Sequence, residues 1–571
     1  MTSSENAEQL PAPDFYAKRS DELRAASNRS AERYSSYTQT LIVVALFGCA
    51  AFYLSLVPKR LPLWAAFLVI PVGASVVQRR HRCHLHFVQL CNLLEYYNKG
   101  TARLTHQWDL LDGGDKFLDQ DHFYAKDLDL FGHGSMYQLL CSARTQIGRE
   151  TLANWMQAPA KSEEIRARQE AVLELRTRRA LPELVAAAGP MKVADFRPDF
   201  LRSWVASSSG AYPAWAPPLA FLLPLALISV PLLYWAGLVT LHTLWVSIVA
   251  FLGLEALFAG AFRRHIKSVR ESLESFYIEL PIIWELLRIL ERENFSSQKL
   301  RALAGSLKEG NTTASREIRR LQHLIGLAKA RELEWFAYPS FCLMWGTQFG
   351  MAIERWRRQQ GNKMLEWAAT LGKFEALLSL STYSYEHPGD HFPEIVEGAS
   401  VFEAEGMGHP LVREAVCVRN DLLLDQTVRF LIVSGSNMSG KSTFLRAIGV
   451  NAVLAFTGAP VCCTKLRLSP NGCRSSHSSS GLRGRRPFAF SCGDAKIAPH
   501  DRSGGSWPVS FFGGRDYERY KFTGPPDRDR MGDSGARSSR GDWRDHHTRS
   551  RLNRDRGERS AGQQRALSRR G

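Results

Sequence analysis

Gly435, Gly440, Lys441 and Ser442 stand at the spacing G-x-x-x-x-G-K-S within "SGSNMSGKSTFLRAIGVNAVLAFTGAPV" (Ser434–Val461). That spacing suits a nucleoside triphosphate. Two glycines let the backbone curl so that its N–H groups face phosphate oxygens. A helix starting near Lys441 adds its positive end. Lys441 then reaches the β- and γ-phosphates, and the Ser442 hydroxyl holds Mg²⁺. Ser436, Asn437, Met438, Ser439 and Thr443 complete the candidate ATP-binding loop. The competing explanation is a chance glycine-rich turn. The flanking sequence argues against it, because Val428–Val433 reads as a buried strand and Ser442–Phe456 as a helix. A phosphate loop is half of an ATPase. The acid that holds the magnesium site and the group that activates water must lie elsewhere.

The segments that must carry this loop differ in texture. From about residue 395 the chain has short β-rich runs. Before it, residues 83–210 and 263–385 read helical, with apolar residues at helical spacing and a charged opposite face. The second stretch is broken near Glu309-Gly310-Asn311-Thr312 and stops before Pro388. A solvated helical bundle accounts for both.

Four stretches are apolar enough for membrane spans. Leu41–Val57 and Leu61–Val77 lack charge and are separated by Pro58-Lys59-Arg60. Ser203–Leu254 has no Asp, Glu, Lys or Arg, room for spans at Pro218–Gly237 and Leu238–Ala259, since a span needs about 20 residues. Buried core helices are the alternative, with most weight for the shorter first pair. Basic flanks at Lys18–Arg33, Arg79–Arg82 and Arg263–Lys267 put the N-terminus, residues 79–215 and the C-terminal half in the cytoplasm, with access to ATP. Lys59-Arg60 runs against that orientation. Glu255 falls late in the fourth span.

The chain has 571 residues and a formal charge of +17. Residues 471–571 hold 22 Lys and Arg against 11 Asp and Glu, so most of the excess sits in one tail. The rest has no strong nucleic-acid footprint. Ten scattered cysteines without C-x-x-C suit a reduced compartment.

"GSNMSGKSTFLRAIGVNAVLAFTGAPV" resembles the ATPase domain of the MutS family of DNA mismatch-repair proteins. Asn437-Met438, Ser442–Arg446 and Gly458–Val461 are more specific than a bare phosphate loop. "GMGHPLV" (Gly406–Val412) resembles the family's G-x-H-P segment, which makes His409 and Pro410 candidate neighbours of the base; a simple turn is the alternative. "DLDLFGHGSMYQLLCSARTQIGRETLANWMQAP" (Asp127–Pro159) resembles the start of the MutS core, with T-x-x-G-x-x-x-L-x-x-W at Thr145, Gly148, Leu152 and Trp155. Residues 364–400 resemble the lever returning to the ATPase. Membrane segments occupy the place of the mismatch-reading domain. Phe392-Pro393-Glu394 matches its F-x-E wedge by letters only.

The family continues with a signature helix, a Walker B strand ending Asp-Glu, and a Thr-His-Asp switch. None follows Pro470; the tail reads as disordered and leaves the loop strand without sheet partners. A shifted reading frame restores all three. Joining the last two bases of each codon to the first of the next, Phe512–Phe522 permits Leu-Val-Asp-Glu-Ile-Met-Asn-Gly-Thr-Asn-Ser. Gly541–Arg556 permits a run containing Thr-His-Asp, and Cys492–Ile497 permits Ala-Glu-Met-x-Lys-Leu. A frameshift between Pro470 and about Phe490 is therefore expected.

The expected architecture is multidomain: a mostly α N-terminal and core region with transmembrane helices, then a truncated α/β P-loop domain. The expected segments are 1–40, cytoplasmic; 41–77 and 216–262, hairpins; 78–215, core-like; 263–394, lever-like; 395–470, ATPase; and 471–571, out of frame. The resemblance implies ATP and Mg²⁺ as cofactors, a homodimer, and double-stranded DNA as a possible ligand. Hydrolysis should be impaired, with no catalytic residue identifiable. Two other readings remain open: a nucleotide-switched membrane scaffold, and a transport-related ATPase of the ABC kind.

Overall fold

A computed structural model describes residues 11–56, 69–122, 124–190, 198–206, 212–309, 312–398, 401–428, 430–433, 440–470, 491–492 and 509–513. The fold is mostly helical. Helix α1 (Ala12–Leu56) and helix α2 (Val69–Thr105) run antiparallel. Contacts fix the direction: Tyr16 meets Gly100, Ser27 meets Cys91, Thr38 meets Arg80, and Gly48 faces Val69. Bonds that pair low numbers on one helix with high numbers on the other admit only this arrangement.

Five short helices follow: α3 (Met136–Leu140), α4 (Gln146–Gln157), α5 (Ser162–Arg176), α6 (Ala180–Ala187) and α7 (Pro198–Ala206). Then come α8 (Ala216–Trp235) and the 52-residue α9 (Leu241–Arg292). Helices α10 (Gln298–Gly305) and α11 (Ala314–Ala330) flank a small antiparallel pair, β1 (Lys308–Glu309) and β2 (Thr312–Thr313). That pair lies at the expected helix break. Helix α12 (Ala337–Cys342) leads into the 42-residue α13 (Trp345–Glu386), which stops two residues before Pro388.

Three described helical segments are long and apolar enough to cross a membrane: Ala12–Ser55, Ala216–Trp235 and Leu241–Phe262. They overlap the expected first, third and fourth spans over most of their lengths. The expected second span lies partly outside the described residues, which resume at Val69. Leu46, Phe47, Trp235, Val249 and Leu257 are each more than 60% exposed, so these stripes are not covered by the protein. The expected boundaries at 40, 77 and 262 fall inside continuous helices. Helices α1, α2 and α9 therefore each continue beyond an apolar stretch without a break.

Helix α8 contains Pro224 and Pro231. A proline has no N–H, so Pro224 frees the carbonyl four residues back. That carbonyl, Ala220 O, accepts from Gln348 Nε2 of α13 at 3.0 Å. Glu255 of α9 is 1% exposed, and neither carboxylate oxygen has a hydrogen-bond partner among the described residues.

The C-terminal part holds two sheets. One has the order β3 (Glu394–Ile395), β7 (Lys465–Leu468), β4 (Phe402–Met407), β5 (Asn420–Leu424), with β3 parallel to β7 and the rest antiparallel. The other has the order β6 (Phe430–Val433), β9 (Val509–Gly513), β8 (Ser491–Cys492). Two strands thus come from the stretch expected to be disordered. The expectation that the loop strand lacks a sheet partner is corrected, because β9 runs parallel to β6 and pairs Phe430 with Ser510 through Val433 with Gly513. Helix α14 (Lys441–Thr457) joins the two halves. One apolar core holds Leu128, Leu152, Ile165, Phe374, Ile448 and Leu468, so the helical body and the β-rich part do not have separate cores.

Candidate nucleotide site

Strand β6 ends at Val433 and α14 begins at Lys441, as strand–loop–helix patterning predicts. Gly435, Ser436, Asn437, Met438 and Ser439 lie outside the described residues. Gly440 precedes the helix with φ +82°, and Gly458 follows it with φ +90°. Both conformations suit glycine. Ser442 and Thr443 are exposed in the first turn and Lys441 is half-buried. From Ala447 to Thr457 every residue is buried, so the helix is held along its length while its N-terminal turn stays open.

Magnesium fits this turn only in part. Among the described residues no group of three His, Cys, Asp or Glu side chains could hold a metal. Ser442 offers an exposed hydroxyl at the mouth of the helix, so the remaining ligands would come from phosphate and water.

The helix is held by the segment resembling the MutS core. A Cβ on Gly449 would lie 2.5 Å from Leu128 Cδ2, so α14 approaches that segment as closely as glycine permits. Arg446 pairs with Asp129 at 2.7 Å, and Asp129 itself has φ +49°. At the far end, Arg168 Nη1 donates to the Thr457 carbonyl at 3.4 Å while its guanidinium lies over the Trp155 ring at 3.6 Å. A cation at the last turn complements the helix dipole.

These contacts give physical content to the T-x-x-G-x-x-x-L-x-x-W pattern. The Thr145 hydroxyl accepts from Gly148 N at 3.1 Å and caps α4. Gly148 makes room for Glu375 of α13; a Cβ there would lie 2.5 Å from Glu375 Oε2. Leu152 is fully buried, and Trp155 supports Arg168.

His409 sits at the base of this region, 9% exposed. Its Nδ1 accepts from Leu411 N at 3.2 Å, which leaves the proton of the neutral ring on Nε2. Burial holds its pKa down to about 4; the Arg446 charge adds to this and Asp129 opposes it. The structure thus brings His409 to Arg446 of α14. Pro410 lies in the turn closed by Val412 N on His409 O at 2.9 Å.

Sequence reasoning missed Asn451. It is fully buried inside α14, and its Nδ2 donates to Gly408 O at 2.9 Å while its Oδ1 accepts from Cys462 N at 2.8 Å. Gly408 N in turn donates to Cys462 O at 2.8 Å. One side chain thereby fixes the G-H-P segment, the helix and the Ala459–Val461 exit together. An asparagine in the middle of a predicted apolar helix was the available signal. Phe392-Pro393-Glu394 is structural: Pro393 O accepts from Gln169 of α5 at 2.9 Å and Glu394 opens β3.

No family model matches the chain. Part of it is similar to DNA mismatch repair protein MutS of Thermotoga maritima, 35% identical over 98 residues, or 17% of this chain and 12% of that protein. DNA mismatch repair protein MutS 1 of Haloarcula marismortui is 37% identical over 91 residues, 16% of this chain and 10% of that one. The Lawsonia intracellularis MutS protein is 31% identical over 110 residues, 19% and 12% of the two chains. The chain is distantly related to MutS proteins over a part of its length. It spans about an eighth or less of the curated relatives it matches.

Proposed function

We propose that this chain is a membrane-anchored, MutS-like ATP-binding protein. The observation that carries the reading is the open first turn of α14 on a helix otherwise buried against the MutS-like segment. Residues 435–443 would cradle the triphosphate, Lys441 would meet its β- and γ-oxygens, and Ser442 would hold Mg²⁺ with them. His409, neutral near pH 7, would flank the base. Residues 41–57, 218–237 and 238–259 would lie in the bilayer. Two such heads would dimerise with nucleotide between them. Duplex DNA is the ligand that the names of the relatives suggest.

The sequence as written offers no identifiable water-activating carboxylate after the phosphate loop. The shifted frame after Pro470 would supply Asp-Glu and Thr-His-Asp, so hydrolysis by the chain as written should be weak or lost.

Fluorescent ATP binding by the detergent-purified full chain tests the reading. Binding that needs Mg²⁺ and falls more than tenfold in Lys441→Ala is expected; equal binding by both proteins ends it. Sequencing the gene around codon 480 tests the frameshift, which fails if the alternative frame does not encode Asp-Glu and Thr-His-Asp.

A second reading, a nucleotide-switched membrane scaffold that does not touch DNA, draws on one observation. Arg103 of α2 and Glu386, the last residue of α13, form a buried pair, so the apolar hairpin is tied to the end of the lever-like helix. Salt-dependent duplex binding by a frame-corrected protein favours repair; its absence with intact nucleotide binding favours the scaffold.

A further inference from the structure

Arg29 and Arg33 of α1 and Arg79 and Arg82 of α2 line one cavity of about 510 Å³ between the two helices, beside Tyr37 and His86. All four arginines are exposed. Among the described residues none of the four pairs with a carboxylate. Farther from the apolar stripe the same helices do pair their charges: Arg19 with Glu22 and Glu183, and Lys99 with Glu95. The neighbouring Arg80 is also engaged. Its guanidinium lies over Tyr34 at 4.7 Å and donates to Tyr34 Oη at 2.6 Å and Thr38 Oγ1 at 3.0 Å. Four like charges thus face one cavity that supplies no anion of its own, an arrangement that an external anion would stabilise.

The position selects the anion. At 1.5 Å per helical residue, Tyr37 lies about 6 Å, Arg33 about 12 Å and Arg29 about 18 Å before Leu41, where the apolar run begins. Arg79 and Arg82 follow Val77 by about 3 and 8 Å. Headgroups occupy a layer roughly 5–8 Å deep on each side of the hydrocarbon. The cavity therefore meets the headgroup layer at Tyr37, Arg79 and Arg82 and extends to its water side at Arg33 and Arg29, with a tyrosine at the depth where amphipathic rings settle.

We propose that this cavity binds the phosphate of an anionic membrane lipid. Guanidinium groups bind phosphate oxygens in pairs, so Arg79 and Arg82 with Arg33 would hold the phosphate from two helices and brace the hairpin, and Arg29 would add charge from the water side. The inference rests on the membrane-anchored reading above.

The test uses the full chain in phosphatidylcholine nanodiscs with a trace of photo-crosslinkable phosphatidylglycerol or phosphatidylcholine. Carbonate extraction of cell membranes reports insertion separately. The expected result is preferential crosslinking of phosphatidylglycerol to residues 29–37 and 79–86, surviving millimolar inorganic phosphate. Each arginine removed should lower the preference about fivefold, so Arg33→Gln with Arg82→Gln should nearly abolish it. The lysine pair at the same positions should retain most of it, which separates charge from folding. Four results overturn the site: equal crosslinking of the two lipids, an unchanged preference in the glutamine pair, full displacement by inorganic phosphate, or displacement by duplex DNA at lower concentration. A chain released by carbonate overturns the membrane reading and the lipid site together. An inserted chain without lipid preference overturns the lipid site alone.

Discussion

The Glu375 carboxylate caps a helix it does not belong to: Oε1 accepts from Arg144 N at 2.9 Å and Thr145 N at 3.1 Å, and the Thr145 hydroxyl donates to Oε2. This ties α13 to the start of α4, and α4 packs on the nucleotide-site helix. Burial pushes the Glu375 carboxyl above its ordinary range, and its three donors only partly offset that. The native form thus binds the proton more tightly than the unfolded one. The contribution is complete below about pH 4.5 and is lost as pH rises through the raised value. Glu375→Gln keeps an acceptor without the charge and should flatten this dependence. Glu375→Ala should cost about 2–3 kcal/mol by leaving buried donors unmet. Hydrogen exchange of residues 146–157 across pH reads both.

Arg103 and Glu386 form the second long-range tie. Nε to Oε2 is 2.9 Å, Nη2 to Oε1 is 2.5 Å, and the Tyr16 hydroxyl donates to Oε1 at 3.2 Å. Both charged side chains are almost wholly buried. Arg103→Met alone should cost about 3–5 kcal/mol by stranding the carboxylate. Arg103→Met with Glu386→Leu should cost less than the single change. Thermal unfolding in detergent, with exchange at residues 12–30, would show it; a double variant weaker than the single contradicts the account.

Gln348 compensates for the N–H that Pro224 lacks. Gln348→Leu should destabilise the packing of α8 on α13 by about 1–2 kcal/mol, since Ala220 O then has no donor. In a Pro224→Ala background, helix bonding resumes and the same change should cost little. Equal losses in both backgrounds would show that the bond to Ala220 is not what Gln348 contributes.

His409 predicts an acid-sensitive site. Its pKa falls from 6.5 to about 4 on folding, so the stabilisation is complete above pH 6.5 and is lost as pH falls toward 4. Exchange protection of residues 441–457 should drop over that window, and His409→Gln should flatten the response. A response unchanged by the substitution would assign it to other groups.

The local features were legible in the sequence. Helix α14 starts one residue before and ends one residue after the expected bounds, because Gly440 and Gly458 adopt positive φ at its ends. Strand β6, the break near 309–312 and the helix stop before Pro388 follow from short-range backbone preference and periodicity. Those signals act over a few residues, so a few residues reveal them. The T-x-x-G spacing could be matched to a family, but its reason could not be read, since the carboxylate that Gly148 admits arrives from Glu375. Asn451 sits in the apolar stretch of α14, and its partners, Gly408 and Cys462, come from segments outside that helix. The pairing of β6 with β9 and the helices that run through residues 40, 77 and 262 were likewise settled only by tertiary contacts. Side-chain chemistry fixes what each residue can bond. Which distant residue meets it depends on how whole faces pack, and that is decided only when the chain closes on itself.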